Sequence, residues 1–454
     1  MNSVKNTYKY NNRIFSFYYF VEGYLQGIPF LVFPPYLAQV LGGSYDIALW
    51  LLVYFIGNLP WAIKMIIGLF NDKWGSQKYG RRFPWISGFG IFGAIWWFGM
   101  AFYLPIDKSI YMWFAIYYFF TQVGAAFSDT ALDGLILDVT PKKDLGKVQG
   151  FTWALMLLGM GAGGMLLGLI FLALNAIPIL FILTGILAII ASCLPYLIEE
   201  APFANVTLKS MARDLISIVS KIRNYKVFGY TFLGAVTGQV ILTFFNYVIL
   251  IAIKVIDVKE TILSITSGTA VSLLGWSSVF YFCNGLGTVI GSLIAGKLAD
   301  KSRRKAVLLN YLIYMPFCLV SILPFILSGA YLLALIYGLL GQVMFGAIQG
   351  WMVVANQTVR GDLTNNYYPE LKSTYFALLV SFSNLGQSFG TIIGAVIFSV
   401  LAGIITDFNI MYFILTLFCT GTLVFSFLLF KTINPKDYEF DHLTGEAEEK
   451  VHFT

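Results

Sequence analysis

Gly68-Leu69-Phe70-Asn71-Asp72-Lys73, with the basic run Lys78 to Arg82 behind it, returns half a chain later. It reappears as Gly296-Lys297-Leu298-Ala299-Asp300-Lys301, followed by Arg303-Arg304-Lys305. A slide of 228 residues (300 − 72) superposes the two aspartates and also lays Gly57 on Gly285 without a gap. A repeat of this size in so apolar a chain predicts a duplicated bundle of membrane helices.

The 454 residues are 58% hydrophobic and 11% charged, against roughly 25% charged in soluble domains. Apolar stretches long enough to cross a hydrocarbon core of about 30 Å recur throughout. Hydropathy predicts spans at 14–42, 46–70, 84–105, 109–139, 148–174 and 177–198, then 226–254, 270–298, 306–328, 331–359, 373–403 and 409–431. The fold expected is all-α and integral to the membrane: about twelve helices in two pseudo-symmetric six-helix bundles. The expected domains are 1–198, a linker at 199–225, 226–431 and an acidic tail at 432–454 without fixed structure.

Basic residues orient the chain. With both termini inside, 25 of the 29 Lys and Arg (29 − 4) fall in the tails and in loops after even-numbered helices; Lys108, Lys254, Lys259 and the intrahelical Lys64 are the remainder. The plasma (inner) membrane is the expected location, with cytoplasmic termini. The net charge of +6 then reflects topology and anionic lipid headgroups and implies no nucleic-acid partner. No cleavable signal is expected, since the first apolar stretch runs straight into the bundle. Within the linker, Leu208, Met211, Leu215, Ile218 or Val219, and Ile222 recur at helical spacing among Lys209, Arg213, Lys221 and Arg223. That pattern predicts an amphipathic helix lying on the inner leaflet or packed on the bundle.

Cys193, Cys283, Cys318 and Cys419 sit in predicted spans without metal-type spacing and read as buried thiols. Neither a metal site nor a cofactor is expected. With no phosphate-binding loop and no histidine in the bundle (His442 and His452 lie in the tail), neither an enzyme nor an ATP-driven pump is expected. Carboxylates would have to carry any coupling proton.

An ionisable group in mid-membrane is costly unless paired, hydrated or neutralised, so each one is a functional hypothesis. Glu22 (with Gln26 on the same helix), Lys64, Asp129 and Asp133 meet that description. Counting at 1.5 Å per residue puts Glu22, Lys64 and Asp129 each roughly 12–14 Å from the inner end of its helix, in one layer. Asp129 and Asp133 share a face, one turn apart. Lys64 could neutralise a carboxylate and then meet an anionic solute while another carboxylate carries the proton; a permanent Lys–Asp pair is the alternative. The second half offers no comparable charge but two amide stripes, Gln342, Gln349 and Asn356 on the tenth helix and Gln239 and Asn246 on the seventh. These line a solute cavity or serve as interhelical glue. Gly27, Pro29, Pro34 and Pro35 predict a bent or broken first helix.

The repeated loop is expected to act as a cytoplasmic gate, with Asp72, Lys73, Arg81, Arg82, Asp138, Asp300, Lys301 and Arg304 latching the bundles in one state. A merely topogenic positive loop is the bland reading. Gly159, Gly161, Gly163, Gly164 and Gly168 crowd the fifth helix, and Gly386, Gly390 and Gly394 form a ridge on the eleventh; both predict close helix crossings.

With its glycine–aspartate–basic loop in both halves, the chain resembles the major facilitator superfamily. Within it, Glu22-Gly23-Tyr24-Leu25-Gln26-Gly27-Ile28-Pro29, Leu59-Pro60-Trp61-Ala62-Ile63-Lys64 and Ser128-Asp129-Thr130-Ala131-Leu132-Asp133 resemble the group of muropeptide permeases (AmpG type), acetyl-CoA transporters and folate–biopterin transporters. Gly80-Arg81-Arg82-Phe83-Pro84-Trp85 fits that group and the glycoside–cation symporters alike. The resemblance implies a monomeric, proton-coupled or exchange carrier of bulky, often anionic solutes, with Lys64 and the fourth-helix aspartates at the site. The fifth helix lacks the proline of the antiporter signature, which weakens a drug-efflux reading. A sodium- or proton-coupled sugar or glycoside symporter, and a non-transporting assembly protein on the same fold, are the competing readings.

Overall fold

The computed structural model describes residues 2–42, 47–76, 78–200, 208–254, 267–326, 329–402, 404–405 and 408–440. Among them no β-strand forms; a lone bridge pairs Ser76 with Gly80. The helices are α1 (Asn2–Leu31), α2 (Phe33–Leu41), α3 (Ile47–Lys73), α4 (Phe83–Phe102), α5 (Ile110–Val139), α6 (Leu145–Met160), α7 (Gly168–Ala173) and α8 (Ile177–Cys193). They continue as α9 (Leu208–Ser220), α10 (Ile222–Ala252), α11 (Ser267–Ala299), α12 (Arg303–Val320), α13 (Leu323–Ile326), α14 (Tyr331–Tyr367), α15 (Lys372–Ala402) and α16 (Phe408–Lys431).

Among the described residues ten helices are long and apolar enough to cross a membrane. The first and ninth predicted spans are the interrupted ones. Pro34 and Pro35 open α2, where their missing N–H groups kink the chain, yet the Val32 N–H still reaches the Ile28 carbonyl at 2.8 Å. In the ninth span α12 ends at Val320 and the short α13 follows. The fifth span carries a π-helical segment, Gly161–Leu167, between α6 and α7. Leu52, Ile95, Leu169 and Ile290 point outward, as expected where the solvent is lipid.

The chain forms two compact units. The first comprises Met1–Val219 with Leu363–Ser381, so the end of α14 and the start of α15 belong to it. Its main packings are α1 on α6, α4 on α5 and α8, and α3 on α5. Glycine sets the first of these. A Cβ on Gly23 would lie 1.7 Å from the Met156 carbonyl oxygen and one on Gly159 1.8 Å from that of Phe20, so α1 and α6 touch backbone to backbone. The expected linker helix is α9. Leu208 and Met211 side chains lie outside the described residues, Ile218 is buried, and Val219 and Ile222 are exposed.

The second unit comprises Ser220–Asp362 and Phe382–Thr454. There α10 and α12 pack on α16, and the α15 ridge meets α10: a Cβ on Gly386 or Gly390 would lie 2.2 Å from a carbonyl oxygen of Phe232 or Val236. Two expectations change. The first part of the tail, 432–440, is folded, with a 3₁₀ turn at Pro435–Asp437 and buried Tyr438 and Glu439; His442 and His452 lie outside the described residues. Of the four thiols only Cys318 and Cys419 are buried, while Cys283 is half-buried and Cys193 exposed at the end of α8, where an apolar surround is lipid rather than core.

Candidate functional site

Three helices of the first unit bring ionisable groups to one buried point. Lys64 of α3 places its Nζ 2.9 Å from Asp129 Oδ2 and 3.7 Å from Asp133 Oδ2 of α5. The Tyr19 hydroxyl of α1 donates to Asp133 Oδ1 at 2.7 Å. Glu22, also on α1, lies within electrostatic reach of Lys64 and both aspartates. Its Oε1 accepts from Gln26 Nε2 at 3.1 Å, and its Oε2 has no hydrogen-bond partner. All four charged residues are at most 5% exposed.

Local sequence explains the convergence. The four-residue spacing turns Asp129 and Asp133 to one face, and Gly57, whose added Cβ would fall 1.9 Å from the Tyr118 ring, lets α3 settle on α5. The glycine contacts with α6, at Gly23 and Gly27, fix the position of α1, the helix that also carries Glu22. A cavity of about 20 Å³, bordered by Glu22, Tyr18, Thr121, Ser128 and Ser192, offers room for roughly one water molecule beside the carboxylate. One ammonium thus serves three carboxylates, and the ion pair is buried, where losing one partner is costly.

At the loop end of the same unit lies a second buried network. Asp72 takes Arg82 Nη1 at 2.6 Å and accepts the main-chain N–H groups of Ser373 (3.2 Å) and Thr374 (2.8 Å) with the Thr374 hydroxyl (2.7 Å). Arg82 Nε, Arg81 and Lys372 converge on Asp138 at 2.9, 3.0 and 3.1 Å. Burial alone works against a charged Arg82, but the Asp72 and Asp138 carboxylates outweigh it and hold the guanidinium above its ordinary value. Lys73 lies over the Trp74 ring, 4.5 Å from its centre. Glu200 closes the network by accepting the main-chain N–H groups of Arg81 (2.7 Å), Arg82 (3.0 Å) and Phe83 (3.0 Å) at the start of α4.

The second unit repeats this device. Arg303 bridges Asp300 (3.3 Å) and Asp362 (2.7 Å), and Glu439 accepts from the Ser302 hydroxyl (2.7 Å) and the Arg303 (3.2 Å) and Arg304 (2.9 Å) main-chain N–H groups. Lys301 is exposed at the turn. The predicted amides are joined to neighbours: Gln342 donates to Asn246 at 2.5 Å, Gln349 to the Tyr314 hydroxyl, and Asn356 accepts from the Tyr230 hydroxyl. The Gln239 side chain lies outside the described residues.

Glu200, Arg303, Asp362, Lys372, Tyr19 and Glu439 were not expected at these posts. The repeat itself points to Asp362. The slide of 228 carries Asp138 onto Asn366 (138 + 228), one helical turn past Asp362. Asp72 and Arg82 are ten residues apart (82 − 72) but Asp300 and Arg303 only three, so the shorter second loop hid the equivalence. The tenth predicted span stopped at 359, whereas α14 reaches Tyr367 and brings Arg360 and Asp362 inside. The second half therefore does contain buried charge.

A bundle of spanning helices built twice, with the same aspartate–arginine loop in each unit, defines a membrane transporter fold. Residues 15–391 and 268–452 match the Major Facilitator Superfamily, and the chain belongs to it. A folate-biopterin transporter of Synechocystis sp. is 28% identical over 145 residues, a stretch that covers 31% of this chain and 28% of the relative. Among solved structures, FucP, a transporter of the superfamily in the outward conformation, aligns with a TM-score of 0.66 at 13% identity, covering 94% of this chain and 99% of FucP. The proton:xylose symporter XylE aligns at 0.64 and 13%, covering 97% and 99%.

Proposed function

We propose that the chain is a secondary transporter that moves a polar, anionic organic solute together with protons across the plasma membrane, with both termini in the cytoplasm. One observation carries this reading: Lys64 stands alone among Glu22, Asp129 and Asp133 in a buried layer. Such a cluster carries an excess of negative charge that uptake of protons neutralises, and neutrality is what passage through an apolar barrier favours. Tyr18 and Tyr19 are the other titratable groups that α1 turns toward it. The folate–biopterin match adds pterin-like organic acids as the solute class to test first. The loop networks are assigned the role of a cytoplasmic latch, in which Asp72 and Asp138 hold the start of α15 in one state and release it in the other.

The test is uptake into proteoliposomes under an imposed pH gradient, with wild type, Asp133→Asn and Asp129→Asn. The expected result is uptake that accelerates when the trans side is made alkaline, with Asp133→Asn retaining solute exchange but no longer answering the gradient. Uptake driven by sodium and indifferent to pH would instead identify a cation symporter of the sugar and glycoside type. Retention of full coupling in both variants would remove the cluster from the mechanism.

A further inference from the structure

The second unit buries a cation that no described residue balances with a carboxylate. Arg360 of α14 is 4% exposed, and its Nε has no hydrogen-bond partner. Among the described residues it forms no ion pair; the carboxylate two positions on, Asp362, is turned to Arg303 at 2.7 Å. The titratable groups that act on Arg360 are Tyr230 of α10 and Tyr311 of α12, with no carboxylate. Both tyrosines are already engaged with neutral partners, Tyr230 with Asn356 one turn before Arg360, and Tyr311 with Ser426 of α16. Two more buried polar atoms nearby in sequence, Gln357 Oε1 on the next turn of α14 and Thr231 Oγ1 beside Tyr230, also lack partners.

An arginine cannot shed its proton to escape such a place, and an uncompensated buried charge is a standing cost. Structural arginines avoid that cost as Arg82 and Arg303 do here, each with two carboxylates. The first unit has the opposite imbalance, since Lys64 already holds two carboxylates and faces a third. A solute anion would be repelled there and welcomed at Arg360.

We infer that Arg360 is the anion subsite of this transporter: its guanidinium takes a carboxylate of the solute between α14, α10 and α12, with Gln357 and Thr231 supplying neutral hydrogen-bonding groups. The inference rests on the organic-anion reading above and divides its labour, with protons held by the first unit and the solute's negative group by the second.

The test uses purified full-length protein in nanodiscs of phosphatidylcholine, with phosphatidylglycerol-containing discs in parallel, at one pH and without any gradient, so that it is independent of coupling. The probes are folic acid, which carries carboxylates, biopterin, which carries none, citrate and inorganic phosphate. Wild type, Arg360→Lys and Arg360→Met are compared by thermal unfolding. The expected result is saturable stabilisation of wild type by a carboxylate probe, weakened about tenfold or more in Arg360→Met and partly restored in Arg360→Lys. Ligand-free Arg360→Met should unfold at a higher temperature than wild type, because it sheds an unbalanced charge. A lower midpoint, or a variant that does not fold, would make Arg360 a structural residue and overturn the proposal. So would equal carboxylate affinity in Arg360→Met, or no response of wild type to any anionic probe. Stabilisation by phosphate alone, or only in discs containing phosphatidylglycerol, would assign the guanidinium to phosphate or to a lipid headgroup and likewise overturn it. A symporter whose Arg360→Met binds normally fails only here; a protein that binds through Arg360 yet ignores a pH gradient fails only in its coupling.

Discussion

Asp72 Oδ2 accepts the main-chain N–H of Thr374 at 2.8 Å, so a carboxylate at the end of α3 caps the N-terminus of α15, some 300 residues downstream (374 − 72 = 302). The same side chain neutralises Arg82 and is fully buried. Its counterpart Asp300 is 16% exposed and stands 3.3 Å from an arginine that Asp362 also holds. Asp72→Asn should therefore lower the thermal midpoint of the purified protein much more than Asp300→Asn. Breaking a fully buried pair costs about 3–5 kcal/mol, whereas Arg303 keeps Asp362 at 2.7 Å when Asp300 is neutralised, so the loss there should be smaller. Equal losses in the two variants would sink the distinction.

Lys64 and Asp129 should show strong coupling. Lys64→Met alone leaves three buried carboxylates without a cation, whereas Lys64→Met with Asp129→Asn removes one of each charge. The double variant is expected to be more stable than Lys64→Met alone, with an interaction energy of about 1–3 kcal/mol in a thermal double-mutant cycle. Additive losses would show that the 2.9 Å contact matters little.

Close helix crossing makes a sharp contrast between two glycines of neighbouring helices. Gly23→Ala would push a Cβ to 1.7 Å from the Met156 carbonyl oxygen, while Gly161→Ala meets nothing within 4 Å. The first should abolish a monodisperse folded peak in size-exclusion chromatography and the second leave it unchanged. Tolerance of Gly23→Ala would mean that α1 and α6 can separate at little cost.

Much of this was legible in the sequence because membrane insertion writes itself in composition. Hydropathy marked the spans, and the lone charges Glu22, Lys64, Asp129 and Asp133 advertised their convergence through their common depth. Tyr19 could not be found that way, since a tyrosine in a span is unremarkable until its hydroxyl is seen on Asp133. Asp362 and Arg360 escaped because charge lowers the hydropathy of the last turns of α14, so the span was drawn short just where buried ions begin. Glu200 and Glu439 escaped for another reason: a carboxylate outside the apolar runs looks like solvent-facing sequence, and only tertiary contact makes it a cap.

Those two glutamates should matter more than their positions suggest. Glu439→Ala leaves the first N–H groups of α12 without their acceptor and should cost about 1–2 kcal/mol, with Glu439→Gln losing less. Glu200→Ala should cost about as much at α4. Thermal midpoints of the three variants check this, and a silent Glu439→Ala would show that solvent replaces the cap freely.

Each glutamate follows the last helix of its half and grips the start of that half's third helix, so both halves are tied off like closed purses. Neither Glu200 nor Glu439 lies within positions 201–207, the stretch before Leu208. A gene divided there should yield two polypeptides, each with its own cap, that reunite when made in the same cell. The stretch Leu363–Ser381, encoded by the second fragment yet lodged with the first unit, supplies the seam along which they would rejoin.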